Sequence, residues 1–277
     1  MPEWLVWPGL VLLGVGVGAY GTLIGAGGGF LLVPLLILLY PDLEPEVITA
    51  ISLGVVWANA CSATVAYGRQ RRIDYVAGAL FATATVPGSV LGAIASGWLD
   101  SNAFEVAFGL LLLVVAVWLV LPKPGRILAT PPPPRFIRRL ITDREGDTYR
   151  YAFDPALGAG LGLAIGFIAN IFGVGGGIIY VPAMVLLMRF PSHIATATSS
   201  FILMFTAGVG ALVHLLAGHY AGVESEEISL ALGVVFGAQI GALTSARLAR
   251  HQQIILRLFS AALLLVSVRL VLGGLLG

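Results

Sequence analysis

Long runs without a charged residue alternate with short polar segments along the chain. The run from Trp4 to Tyr40 has 37 residues, and that from Pro155 to Met188 has 34. Since about 18 to 20 apolar residues cross a bilayer, such runs predict membrane segments. The apolar segments lie at about 4–40, 47–68, 75–99, 104–122, 155–188, 192–217, 228–246 and 252–276. The pattern therefore predicts an all-α polytopic membrane protein.

The first and fifth segments are too long for one crossing of a hydrocarbon core of about 30 Å. Glycine interrupts both, at Gly25-Ala26-Gly27-Gly28-Gly29 and at Gly173-Val174-Gly175-Gly176-Gly177. The 11 residues after each cluster, 30–40 and 178–188, are about half a bilayer in length as helix. We therefore expect each long segment to be a re-entrant helical hairpin with its glycine tip near the midplane, followed by three crossing helices. Two short full crossings per long segment are the alternative.

The chain contains an internal repeat. Gly25 to Pro34 recurs as Gly173 to Pro182, and Gly88 to Ser96 recurs as Gly237 to Ser245. Two gapped matches in the same order and at nearly the same offset indicate a duplicated unit. We divide the chain into a first transmembrane repeat at 1–122, a polar linker at 123–153 and a second transmembrane repeat at 154–277.

The positive charges predict that the two halves have opposite orientations in the membrane. Lys and Arg concentrate in cytoplasmic loops. The second loop of the first half, 69–74, has three arginines, whereas the matching loop 218–227 has none. The third loops show the reverse, since 100–105 has none and the region after 246 has Arg247, Arg250 and Arg257. This inverted-topology repeat places the linker in the cytoplasm and both termini outside.

The composition narrows the function. Only 10% of residues are charged, against about 25% in soluble domains, which excludes a soluble enzyme and nucleic-acid binding. The single cysteine, Cys61, excludes a disulfide scaffold. No zinc-protease motif, paired acids or nucleophile–base set lies at membrane depth, so we expect neither enzymatic activity, nor a metal, nor a cofactor.

All 14 carboxylates lie in loops or at segment ends. A cation pump or cation channel usually has an acidic residue within the membrane, so this distribution favours an anion as the solute. The half-helices that begin after the glycine clusters have free N–H groups and a positive dipole end, which bind anions. We therefore predict a substrate site at the midplane. Its candidate residues are Gly27, Gly28, Gly29, Ser52, Asn59, Asn170, Gly175, Gly176, Gly177, Thr198, Ser199, Thr206 and Gln239.

Several polar and small residues have other expected roles. Ser52 and the run Thr196 to Ser200 precede Asn59 and Thr206 along their helices, and are expected to hydrogen-bond the hairpins. The pairs Gly88/Gly92 and Gly237/Gly241 are expected to serve close helix packing. We interpret His193, His214 and His219 as interfacial. Proton coupling through His214 is a second hypothesis.

The repeated Gly-x-Gly-Gly-Gly-x-x-x-Val-Pro motif, the Ala-Thr-Ser-Ser run and the Gly-x-x-x-Gly-Ala pairs resemble the sulfite exporter TauE/SafE family of bacterial inner-membrane permeases. The resemblance covers both halves. It implies a secondary exporter of small sulfur-containing anions such as sulfite, sulfoacetate or other sulfonates. An anion channel of similar architecture is the alternative. The expected partners are a small anionic substrate and the lipid bilayer, while homo-oligomerisation and the coupling ion stay open.

Overall fold

A computed structural model describes residues 3–120, 135–248 and 252–276. The proline run at 131–134, with Lys123 and Arg126, lies outside the described residues. Within the described ranges the chain forms ten α-helices and one β-hairpin. The helices are α1 (Glu3–Ile24), α2 (Gly29–Leu39), α3 (Pro45–Arg69), α4 (Tyr75–Ala95), α5 (Ser101–Val120), α6 (Pro155–Ile171), α7 (Gly177–Leu186), α8 (Ser192–Ala217), α9 (Glu224–Leu248) and α10 (Gln252–Leu276). The strands are β1 (Ile137–Thr142) and β2 (Thr148–Phe153).

The helices have the lengths and surfaces of a multi-pass membrane protein. Six of the described helices, α1, α3, α4, α5, α8 and α9, are long and apolar enough to cross a bilayer. Large apolar side chains are exposed on the outside of the bundle, among them Leu12, Trp98 and Leu216, each with more than 70% of its surface accessible. Such a surface suits lipid rather than water. The prediction of an all-α polytopic membrane protein is confirmed.

Both glycine clusters interrupt helices, as the sequence predicts. Gly25, Gly27 and Gly28 have φ angles between 78° and 88°, and Gly173, Gly175 and Gly176 between 70° and 96°. Only glycine adopts this region without strain. The helices before and after the breaks differ in length. Helix α1 has 22 residues, whereas α2 and α7 have 11 and 10. Helices α2 and α7 are therefore too short to cross a bilayer.

The long helices of each half pack mainly on the other half. Helix α1 packs on α9, and α6 packs on α4 in the equivalent arrangement. Glycine makes this close approach possible, because a Cβ at Gly88 or Gly92 would contact the backbone carbonyls of α6. A Cβ at Gly237 or Gly241 would likewise contact the backbone of α1. The expectation that these glycine pairs serve helix packing is confirmed.

Contacts between loops define two ends of the bundle. At the first, which we call the linker end, Tyr151 of β2 donates to Asp74 at 2.6 Å and its ring packs on Phe190, 4.6 Å between centroids. At the other, which we call the Glu46 end, Glu46 lies 3.2 Å from His219 and against Gly97. The loop 69–74 thus shares an end with the loop after α7, and the first turn of α3 shares an end with the loop after α8.

The linker contains a β-hairpin that the sequence analysis did not predict. Strands β1 and β2 pair antiparallel from Ile137↔Phe153 to Thr142↔Thr148. Phe153 is fully buried and packs edge-on against Phe81 of α4. Burial raises the pKa of the Tyr151 phenol, and the hydrogen bond to Asp74 raises it further. The hairpin therefore docks on the bundle through its apolar face.

Candidate functional site: the paired glycine tips

We call residues 25–29 the first tip and residues 173–177 the second tip. The two tips contact each other directly. A Cβ on Gly29 would lie 2.7 Å from the Gly173 carbonyl oxygen, and a Cβ on Gly177 would contact the Gly25 carbonyl in the equivalent way. All ten residues are buried. The glycines are therefore needed for close backbone approach as well as for the turn.

One serine attaches each tip to the opposite half of the chain. Ser52 Oγ on α3 donates to the Gly173 carbonyl at 2.6 Å, and Ser199 Oγ on α8 donates to the Gly25 carbonyl at 3.0 Å. Both serines are fully buried. The expectation that Ser52 and the 196–200 run hydrogen-bond the hairpins is confirmed for Ser52 and Ser199, whereas Thr198 accepts from the Asp74 N–H and Ser200 donates to Thr196 O of its own helix.

Helices α2 and α7 begin at the last residue of each tip, and their first backbone N–H groups lack hydrogen-bond acceptors among the described residues. Gly28 and Gly176 form the N-caps of α2 and α7 in left-handed conformation, and neither supplies a side-chain cap. The N–H groups of Gly28, Gly29, Gly176 and Gly177 make no hydrogen bond with any described residue. The first N–H groups of a helix point away from it and carry its positive dipole end. Such donors are suited to an anion.

The surroundings of the tips are neutral. Among the described residues that a Cβ on any tip glycine would contact, none is charged. Val56 lies against Gly27, Gly29 and Gly175, and Leu203 lies against Gly27. Both apolar side chains are fully buried, and Val56 contacts both tips. No fixed cation or carboxylate of this group competes with the backbone dipoles.

Asn59 and Asn170 lie at the tips. Asn59 Nδ2 donates to the Gly27 carbonyl at 3.2 Å, and Thr22 donates to Asn59 Oδ1 at 3.2 Å. Asn170, three residues before the second tip, donates from Nδ2 to the Gly166 carbonyl at 2.9 Å. Its Oδ1 is buried without a hydrogen-bond partner among the described residues. Each tip thus has a primary amide beside it.

The other candidates lie farther from the tips. Thr198 accepts a hydrogen bond from the Asp74 N–H at the linker end. Thr206 donates to Ile202 O of its own helix and lies 3.2 Å from the Thr85 hydroxyl of α4. Gln239 donates to the backbone and hydroxyl oxygens of Ser62 on α3. These polar groups join helices, and their role as substrate ligands stays a prediction.

Sequence reasoning missed Thr22. It bonds Asn59, and its own carbonyl accepts a hydrogen bond from Tyr67 at 2.9 Å. Thr22 occupies the position in the first half that Asn170 occupies in the second, 148 residues later. An alignment of the two repeats that extended beyond the glycine motif would have identified Thr22 as the counterpart of Asn170.

His214 differs from the expectation of an interfacial histidine. It is fully buried, and its Nδ1 lies 2.8 Å from Nδ1 of His219, whose ring is partly exposed. Helix α8 packs on α3, and the His214 ring lies 5.1 Å from the His219 ring of the following loop. His214 is therefore an interior side chain at the Glu46 end of the bundle.

The comparisons with known proteins agree with this architecture. The family model described as sulfite exporter TauE/SafE matches residues 10–270. A Bacillus subtilis protein named probable membrane transporter protein YunE is 32% identical over 96% of this chain and 97% of its own length. A Methanocaldococcus jannaschii protein, probable membrane transporter protein MJ0441, is 25% identical over 86% of this chain and 85% of its own. No solved structure matches significantly.

Proposed function

The chain belongs to the sulfite exporter TauE/SafE family, and we propose that it exports small sulfur-containing anions as a secondary transporter. That it is a membrane transporter rather than an enzyme follows from the family and from the names of its relatives. The anion, the direction and the mechanism are our proposal. We expect sulfoacetate, other sulfonates or sulfite as substrates.

The observation that carries this proposal is the meeting of two glycine tips in which four glycine N–H groups make no hydrogen bond with any described residue. Gly28 and Gly29 supply such donors from one half, and Gly176 and Gly177 supply them from the other. A sulfonate or sulfite has several acceptor oxygens and a negative charge, which suit several N–H donors and two helix dipoles. Transporters with inverted repeats often bind an anionic group this way near the midplane.

We propose alternating access between the two halves. The tips are buried, with Val56 packed against both and Leu203 against the first, so this conformation is closed around the site. The two halves would rock against each other, with α1 on α9 and α4 on α6 as the sliding contacts. A closed site also favours a carrier over an anion channel, which needs a continuous open path.

The orientation of the halves is part of the proposal. In an inverted repeat with a cytoplasmic linker, the loop 69–74 and the loop after α7 both lie on the cytoplasmic side. The contacts of the linker residue Tyr151 with Asp74 and Phe190 support this arrangement. The first turn of α3 and the loop after α8 then lie outside, as the Glu46–His219 contact supports. Both termini follow on the outer side.

Reconstituted protein tests the proposal. Proteoliposomes loaded with unlabelled anion should take up labelled sulfoacetate or sulfite by counterflow, with saturation and with stimulation from the opposite side. Sulfate is the comparison anion, because it has similar size and a different substituent on sulfur. Absence of saturable flux for every anion would reject the proposal, and single-channel currents in planar bilayers would indicate the channel instead.

A further inference from the structure

Three titratable side chains form a chain at the Glu46 end. His219 Nε2 lies 3.2 Å from Glu46 Oε2, and His219 Nδ1 lies 2.8 Å from His214 Nδ1. The Glu46 and His219 side chains are 28% and 29% exposed, whereas His214 is fully buried. The chain therefore leads from solvent at one end of the bundle into its interior.

The inner end of this chain approaches the second tip. His214 Nε2 is buried and has no hydrogen-bond partner among the described residues, and the same is true of Asn170 Oδ1. A Cβ on Gly210 of α8 would contact Asn170 Oδ1, and His214 follows Gly210 by one turn on the same face. Buried polar atoms in native proteins are nearly always hydrogen-bonded, so two unpaired ones beside one helix face require an explanation.

We propose that Glu46, His219 and His214 are a proton relay that couples anion transport to proton movement through the Glu46 end. This inference rests on the proposed function, because it supplies the coupling ion for the same site. Its geometric basis is one short N–N contact, one histidine–carboxylate contact and a buried ring nitrogen directed into the protein.

The proton steps balance along the relay. At the start, protonated Glu46 donates to His219 Nε2, His219 Nδ1–H donates to His214 Nδ1, and His214 carries a proton on Nε2. His219 then passes its Nδ1 proton to His214 Nδ1, so that His214 holds a proton on both ring nitrogens and carries a positive charge. His219 in turn receives one on Nε2 from Glu46, which becomes a carboxylate. One proton has moved inward, only O–H and N–H bonds have changed, and the reverse sequence moves a proton outward.

The other titratable groups at this end do not replace the relay. Tyr220 donates its hydroxyl to the Ala50 carbonyl at 2.9 Å. Burial, followed by the charge of Glu227, raises the pKa of Tyr220, so it stays a neutral donor near pH 7. The Glu227 carboxylate of α9 lies against Gly54 on α3. Helix α6 contributes the amide of Asn170, which does not titrate.

The relay couples the proton to the anion through electrostatics. A proton on His214 places a positive charge near the second tip, in a protein interior where charges interact more strongly than in water. Proton binding therefore strengthens anion binding, and linkage requires that anion binding strengthens proton binding equally. We expect proton and anion to load together, so that export requires an outward anion gradient steeper than any opposing proton gradient.

Full-length protein in proteoliposomes tests the relay. Labelled sulfoacetate is the probe, because it does not titrate near neutral pH. A gradient of about one pH unit, acidic outside, should drive accumulation up to about tenfold if one proton accompanies each anion. His214→Gln and His219→Gln should abolish this accumulation, while counterflow without a gradient stays measurable. His193→Gln, a half-buried histidine at the linker end, should keep both activities.

Each outcome decides the proposal. If both His214→Gln and His219→Gln still accumulate sulfoacetate under the acid gradient, the relay is wrong. The relay is also wrong if the wild-type protein shows counterflow but no accumulation under a pH gradient. Should His214→Gln fail to fold, His219→Gln decides alone, since its side chain is partly exposed. No wild-type counterflow with any anion rejects the proposed function and the relay with it, and this result differs from uncoupled counterflow.

Discussion

Ser52 on α3 donates its hydroxyl to the backbone carbonyl of Gly173 at 2.6 Å, although 121 residues separate the two in sequence. Ser199 makes the equivalent bond to Gly25 from the other half. Each glycine tip is thus attached to a helix of the opposite repeat. A movement of one half relative to the other must carry these contacts along or break them, which connects the tips to the proposed transport cycle.

Removing these serine hydroxyls should weaken both stability and flux. Ser52→Ala and Ser199→Ala each leave a buried carbonyl without its donor, which should lower the free energy of unfolding by about 1 to 3 kcal/mol. Ser200→Ala is the matched control, because Ser200 is buried and, among the described residues, its hydroxyl bonds Thr196 O of its own helix. Thermal unfolding in detergent and counterflow rates measure the two effects. Equal behaviour of all three variants would contradict the attachment.

The closeness of the two tips can be tested without backbone strain. Gly29 and Gly177 begin helices α2 and α7 with ordinary helical φ, but a Cβ on either would contact the carbonyl of the opposite tip. Gly29→Ala and Gly177→Ala should therefore reduce counterflow at least about tenfold, since small misplacements at a site have such effects. Gly160→Ala in α6 has open space around its Cβ and should keep normal flux. Normal flux in both tip variants would show that the tips do not need this contact.

The left-handed glycines at the N-caps should tolerate no large side chain. Gly28→Leu and Gly176→Leu combine positive φ angles of 88° and 96° with contacts to Val17 and Ile165. A leucine side chain would force the turn at each tip to open and displace the N–H donors. We therefore expect loss of transport in protein that still inserts into membranes. Gly218→Leu, with φ of 81° but open space, separates backbone strain from crowding. Wild-type flux in both tip variants would refute a role of the tips.

Close packing between the halves should depend on particular glycines of α1. A Cβ on Gly18 would lie 2.6 Å from the Val234 backbone of α9, whereas a Cβ on Gly16 would meet nothing within 4 Å. Gly18→Val should lower the free energy of unfolding by about 1 to 3 kcal/mol through overpacking, and Gly16→Val should have a much smaller effect. Thermal unfolding in detergent compares the two. Similar destabilisation by both would argue against the α1–α9 contact.

The inverted orientation predicts opposite labelling of two equivalent loops. Arg69→Cys and Ala221→Cys, each exposed at a loop and made in a Cys61→Ser background, should react with an impermeant thiol reagent from opposite sides of the membrane. Intact cells and inverted vesicles give the two sides. Labelling of both from the same side would exclude the inversion, and labelling of Arg69→Cys from outside would exclude the cytoplasmic linker.

Local chemistry made much of this protein predictable. The uncharged runs predicted the membrane helices, since no soluble fold exposes such surfaces. The glycine clusters predicted the breaks at Gly25 and Gly173, because only glycine takes left-handed φ at so many neighbouring positions. The repeat predicted equivalent roles, and Ser52 and Ser199 now make equivalent bonds. The β-hairpin of the linker was not predicted, because its strands pair within a segment whose charges and prolines indicate a plain linker.

The sequence by itself determined which segments enter the membrane, where they break and which positions are equivalent, because hydrophobicity and backbone freedom are properties of the residues themselves. Only the tertiary structure decided which residues those side chains contact. It buried His214 beside His219, brought Asn59 to Gly27 and left Thr198 at Asp74. These contacts join residues far apart in the chain, and their distances depend on how helices of the two halves pack, which no local pattern records.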